Sequence, residues 1–389
     1  MNLAIAFLTV VLPVIPGPPV DIAGSAECPE VYEIVTSISV PILPQVVRPF
    51  FEGRLHDLRS GSMRTFETGR RTTGWPNDGA DHCLMLDAAT GWVEHDARLA
   101  AVRGFPRNEK EAKKLFRQKG RRDGGRLPWA VTDHHELLTT AFRDRDADAI
   151  VREAAILIHL AADAAQPFNT TVNRNGSMSG NLHWSTEEPT DPNRAHGTVG
   201  YRCQCPLIER CREQLGFEVR VWPGRFRRVS DPFATVMDVM VGAYADLEAI
   251  LAVDRDLTSR FRIVDAESFL RVSAVYYDEL AAKVASTIES HLEAGGLLAA
   301  NLIGSAWLNA GSPPPERFTT GAQSNTVKTE VSGTDADYVG SRNSKVFHRG
   351  SCAHVKRISP ENLVKFPTIE SAESAGRRRC KACLPNVEK

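Results

Sequence analysis

The sequence predicts an all-α body followed by a small α+β module stapled by a metal ion, and three observations carry that division. From about residue 30 to 310, apolar residues recur at helical spacing, and no stretch alternates with the two-residue period of a half-buried strand. Residues 311–334 are rich in Pro, Ser, Thr and Gly, have little to bury and read as a linker. Beyond them, His348-x3-Cys352 and Cys380-x2-Cys383 supply one His and three Cys in two close pairs, the spacing of a structural zinc site. A chain of 389 residues has room for both a large core and a second domain.

The formal net charge of −1 and the 42% hydrophobic content exclude a chain dominated by an acidic or basic tail, and they name no partner. Residues 1–26 read as an export signal, with an apolar run from Leu3 to Ile15 and small residues Ala23-Gly24-Ser25-Ala26 suited to cleavage, although no Lys or Arg precedes the run. Pro13, Pro16, Pro18 and Pro19 keep that run far short of the ~20 residues a spanning helix needs, and no other stretch reads as a span. A secreted, periplasmic or cell-surface location is therefore expected. In such a compartment some of Cys28, Cys83, Cys203, Cys205 and Cys211 would pair as disulfides, with the partners open and at least one thiol left over.

The body, residues 27–310, is expected to begin with a helix over Val31–Glu52, ended near Pro41 and resumed near Pro44. The Arg-, Gly- and Thr-rich segment from Gly53 reads as loop as far as Asp81. Helical periodicity follows over Glu109–Phe116 and Leu127–Phe142, with Pro128 suited to a first turn. Within the second of these, His134 and His135 project about 100° apart, so at most one is expected to face inward, as a packing or surface residue.

The stretch Ile156–Glu187 carries the chemistry. His159 and Asp163 lie four apart in an apolar helical pattern, so both project from one face, roughly 5.4 Å apart along the axis. The helix should stop at Gln166-Pro167. A Gly/Asn/Ser-rich loop follows, and His183 and Glu187 then repeat the four-residue spacing. A single buried His/Asp pair is more often a satisfied core pair than a ligand set. A second pair shifts the balance toward a hydrolytic metal site, because His and carboxylate are what Zn²⁺ or a similar ion recruits. Residues 188–200 are a polar loop, Arg220–Arg228 is basic, and helices resume over Pro232–Val253 and Ala266–Asn309.

At Leu127–Glu187 the chain resembles the superfamily of bacterial zinc-dependent phospholipase C and fungal single-strand-specific nucleases, through the spacing of His159, Asp163, His183 and Glu187. Asp81-His82-Cys83-Leu84-Met85-Leu86-Asp87 is similar to a further family segment and adds His82. The resemblance implies a multi-helix bundle in which His82, His159, Asp163, His183 and Glu187 hold one or two catalytic zinc ions, with Asp163 bridging them. Three features depart from the family. Asn169 stands where a His is expected, no Trp or His lies between Ser25 and Pro44, and only Glu67 could replace an upstream Asp. The expected function is an exported metal-dependent phosphodiester hydrolase, a nuclease before a phospholipase C. The alternative from another class is a degenerate relative that binds nucleic acid or acts as a scaffold.

From residue 335 the composition turns basic, with eleven Lys/Arg against four Glu and no Asp over residues 341–389. In so short a segment a metal substitutes for a core, and an inter-cysteine disulfide is the competing reading. Phe347–Cys352 and Ser371–Pro385 resemble the N-terminal zinc domain of the Ada DNA-repair protein. That domain uses four Cys, the first a methyl acceptor. His348 occupies its place here, so the resemblance implies a structural zinc on His348, Cys352, Cys380 and Cys383 without methyl transfer. Arg377, Arg378, Arg379 and Lys381 are then candidates for contact with nucleic-acid phosphates, against the reading of a solvated basic face.

Overall fold

The computed structural model describes residues 29–67, 80–89, 95–118, 124–182, 199–203, 207–211 and 224–320, together with 338–341, 344–349, 352, 354, 355, 358, 362–366, 372, 373, 377–380 and 383. The chain divides into two compact units, Met1–Gln323 and Ser324–Lys389. The first is helical in its described residues, and the second carries a four-stranded sheet.

The helical unit is built around the helix Ala147–Ala164. Asp146 caps it, accepting from the backbone N–H groups of Asp148 and Ala149 at 3.1 and 3.0 Å, a contribution of about 1 kcal/mol. Ala164 ends it just before Gln166-Pro167, as the missing N–H of proline requires. Its Ala/Ile/Leu composition lets it be buried almost all round, and it packs against the helices Pro29–Ile42, Leu55–Glu67, Leu127–Asp144, Pro232–Arg260 and Ala266–Asn309. The last of these, 44 residues long, spans about 66 Å. It starts in a reciprocal Asp265/Ser268 capping box and buries nearly every position from Leu298 to Trp307. Among the described residues, no helix is long and apolar enough to cross a membrane.

The periodic segments form helices as expected, and two expectations need correction. Leu55–Glu67 is a helix, not loop. Its contact face includes Gly61 and Ser62, and a Cβ on Gly61 would lie 2.8 Å from the Cβ of Ala155. Close approach here sets Gly61 and Ser62 beside the buried Leu58, which interrupts the apolar period that marks a helix in sequence. His134 and His135 are both buried, because the Leu127–Asp144 helix is covered by neighbours on more than one side. His134 Nδ1 lies 2.8 Å from Glu153 Oε2. The chain also stays on the helical unit beyond Asn309. Trp307 Nε1 donates to the Pro313 carbonyl, Thr319 N donates to the Arg145 carbonyl, and the Phe318 ring meets Phe50 and Phe142. Cys83, Cys203 and Cys211 are buried in this unit, whereas Cys28, Cys205 and the expected export signal lie outside the described residues.

The second unit orders its strands β3-β1-β2-β4, with β1 Tyr338–Ser341, β2 Val346–Arg349, β3 Leu363–Phe366 and β4 Arg378–Arg379. β1 runs antiparallel to β2 and β3, and β2 runs parallel to β4. Among the described residues its apolar clusters are small, one of Val339, Val355, Cys352 and Cys380 and one of Phe347, Phe366 and Ala372.

Candidate metal centres

In the second unit the β2/β4 pairing builds a ligand set. Phe347 opposes Arg379, and Cys380 N continues the ladder to the Phe347 carbonyl at 2.9 Å, which sets Cys380 beside His348 on β2. A turn after β2, closed by Cys352 N on the Arg349 carbonyl, returns Cys352 to the same point. The donor atoms of His348, Cys352, Cys380 and Cys383 all lie within 4.8 Å of one another. His348 Nδ1 and Cys352 Sγ are 3.6 Å apart, the edge of about 3.6 Å that tetrahedral zinc sets between imidazole and thiolate. Arg349 N donates to Cys383 Sγ at 3.4 Å, orienting the sulfur. Burial, with Cys352 and Cys380 close by, pushes the Cys383 thiol up to about 11, so a bound cation is what would hold this sulfur as a thiolate at neutral pH. The donor chemistry fits a structural zinc.

Of the basic side chains beside it, two are used within the unit. Arg377 brackets the Ser341 and Ser344 carbonyls and lies over the Phe366 ring. Arg379 Nε donates to Glu373 Oε1 at 2.7 Å. Arg378 is exposed, and Lys381 lies outside the described residues.

In the helical unit three of the five expected ligands converge. His159 and Asp163 project from the central helix as the four-residue spacing predicts, with His159 Nε2 3.1 Å from Asp163 Oδ2. His82 comes from a loop that is pinned by backbone bonds of Leu84 to Asn169, Met85 to Gly124 and Leu86 to Thr170. Its Nδ1 lies 2.7 Å from Asp163 Oδ2 and 2.9 Å from His159 Nε2. Gly125, at φ +88°, lets the 124–127 segment run against this loop, since a Cβ there would sit 2.1 Å from the Cys83 carbonyl oxygen. His183 and Glu187, and the side chain of Glu67, lie outside the described residues.

Two neighbours that the sequence reading missed fix these ligands. His159 Nδ1 donates to the Ser62 carbonyl at 2.8 Å, so in the neutral ring Nε2 carries the lone pair and aims it at His82 and Asp163. Tyr32 stacks on the His159 ring, centroids 4.2 Å apart and planes within 3°, and its hydroxyl donates to Asp163 Oδ1 at 3.0 Å. Burial raises the Asp163 carboxyl, but the charges and hydrogen bonds of His159 and His82 outweigh it and hold the group well below the usual carboxylate range. Asn169 offers no oxygen to the cluster. Its Nδ2 donates toward Asp163, and its Oδ1 accepts from Arg174 Nη2 at 2.8 Å. The set of two imidazole nitrogens and one carboxylate oxygen, with a lone pair directed inward, fits a divalent transition metal.

The sequence pattern of the metal-binding domain of Ada matches residues 327–386, which contain the His/Cys cluster. No curated protein matches the chain.

Proposed function

We propose that the helical unit is a metal-dependent phosphodiester hydrolase acting on nucleic acid, exported, with the C-terminal unit as an appended zinc-stabilised module that adds affinity for the same polymer. The observation that carries this reading is the convergence of His82 Nδ1, His159 Nε2 and Asp163 Oδ2 from a loop and a helix far apart in sequence. Its further support is the resemblance of Leu127–Glu187 to phospholipase C and the fungal nucleases. A bound divalent ion would lower the pKa of a water and neutralise charge on phosphoryl oxygens. The protein's part is to present three donors already oriented. Ser62 sets the His159 tautomer, Tyr32 fixes the His159 ring and the carboxylate, and the Gly125 contact holds the His82 loop. Nucleic acid is preferred over phospholipid because the Ada-like module, basic in composition, would hold a polyanion near the site and raise its local concentration.

A second reading has its own observation. The three donor separations, 2.7 to 3.1 Å, are hydrogen-bond lengths, shorter than the edge of about 3.3 Å that tetrahedral zinc would set between such donors. A proton on an imidazole would hold them equally well, as a core ion pair in a unit that only binds. Purified full-length protein, assayed with single-stranded DNA, RNA and phosphatidylcholine vesicles, separates the readings. Hydrolysis of a nucleic acid that is lost in Asp163→Asn supports the proposal. Hydrolysis of lipid alone moves the substrate class, and no metal-dependent hydrolysis of any of the three leaves the binding role.

A further inference from the structure

The two oxygens of Asp163 face different partners, and this limits what the carboxylate can do. Oδ2 faces both imidazoles. Oδ1 accepts from the Tyr32 hydroxyl at 3.0 Å and lies 3.4 Å from Asn169 Nδ2. A carboxylate that bridges two ions must give one oxygen to each. We propose that Asp163 is a terminal ligand to a single ion in the helical unit, and that Tyr32 is the positioning residue that keeps it so. The inference rests on the metal reading above and goes beyond it by setting the number of ions that share Asp163.

Three features make the arrangement hard to reverse. The Tyr32 ring is buried and stacked flat on His159, so its hydroxyl cannot swing away from Oδ1 without losing that stack. Asn169 presents N–H, not a lone pair, toward the Asp163 carboxylate. Arg174 Nη2 donates to the Asn169 oxygen, which keeps the amide turned with its N–H toward the carboxylate. Tyr32 and Asn169, the latter held in this orientation by Arg174, thus occupy with donors the side of the carboxylate that a bridged ion would need.

The test is metal content and cobalt spectroscopy on the full chain. Elemental analysis should find two ions per chain, one in each unit, with His159→Asn losing one. Cobalt(II) substituted in the helical site should give an uncoupled high-spin EPR signal. Tyr32→Phe should keep its circular dichroism, weaken the helical-site ion by about 10- to 100-fold and shift its d–d absorption. Three ions per chain, two of them spin-coupled and lost together in Asp163→Ala, would overturn the single-ion assignment while leaving the metal reading intact. One ion per chain, unaffected by His159→Asn, would overturn the metal reading and this inference with it. Unchanged affinity and spectrum in Tyr32→Phe would remove the role given to Tyr32. The wild-type ion count and EPR signal decide the number of ions even if that variant fails to fold.

Discussion

In the C-terminal unit four donors come from two short pairs, His348/Cys352 and Cys380/Cys383, and meet where two strands run parallel. In the helical unit three donors come from positions 82, 159 and 163, held by Tyr32, Ser62 and Gly125 from other segments. The first cluster sits in a unit whose apolar clusters, among the described residues, are a handful of side chains, so an ion bound there would supply much of the folding free energy. The second is embedded in a core that is complete without it. One site makes its fold, and the other is made by its fold.

The largest effect should follow from breaking that contrast at the ion. Chelation, or Cys380→Ser, should unfold residues 324–389 while the helical unit keeps its circular dichroism. Apparent zinc binding in comparable small domains is worth about 10–16 kcal/mol, far more than the small clusters here can replace. Amide hydrogen exchange resolved by segment would read it, and a second unit that stays protected after chelation would refute the dependence.

A smaller effect separates metal-linked from metal-independent acid sensitivity, since an ion held by either cluster would require its donors to be deprotonated. His135 is buried with no hydrogen bond to Nε2 among the described residues, and burial lowers it from 6.5 to about 4. Above pH 6.5 the ring is neutral in the folded and unfolded chain alike, so it adds no pH dependence. As pH falls from there toward 4, the unfolded chain takes up a proton that the folded one refuses, so stability falls and then levels off. The span is worth about 3 kcal/mol. His135→Leu should flatten that part of a denaturant-midpoint profile and leave metal content alone. A profile of unchanged slope would assign the acid sensitivity to the metal ligands instead.

How much of this could be read from residues alone follows from the same contrast. The His/Cys pairs announce themselves because each is formed by local chain, and His159/Asp163 because one helical turn sets their geometry. His82 was found only through a resemblance, since nothing local to it points at residue 159. Tyr32 and Ser62 left no signal. One acts through a hydroxyl 131 positions away from Asp163. The other acts through a backbone carbonyl, which any residue would supply, on a helix whose contact face sets Gly61 and Ser62 beside Leu58. The long helices were legible because each is amphipathic or apolar over many turns. Leu55–Glu67 was not, because close packing there replaced large apolar side chains with Gly61 and Ser62.

A further test of the helical cluster leaves every donor in place and moves only its support. Gly125→Ala puts a Cβ against the Cys83 carbonyl at a positive φ that alanine rarely adopts. The expected cost is about 1–3 kcal/mol, with the loop that carries His82 displaced and the helical-unit ion weakened. The zinc of the C-terminal unit should be unaffected. If metal affinity in the helical unit holds while stability drops, His82 is not positioned by this contact, and the backbone bonds of Leu84, Met85 and Leu86 hold its loop instead.

The smallest effect concerns the basic strand. Arg377 and Arg379 are spent on carbonyls and on Glu373, so Arg378 is the described member of the group left to meet a phosphate. Arg378→Ala should weaken binding to single-stranded DNA uniformly across sequences and reduce the slope of log K against log salt by about 0.7, the value for one phosphate contact on a single strand. Arg379→Ala should leave that slope unchanged and cost at most about 1 kcal/mol of stability, as an exposed ion pair does. If the two variants change the slope equally, the ion pair with Glu373 opens on binding. If neither does, the basic composition of this unit is a solvated face, and the preference for nucleic acid over lipid loses its support.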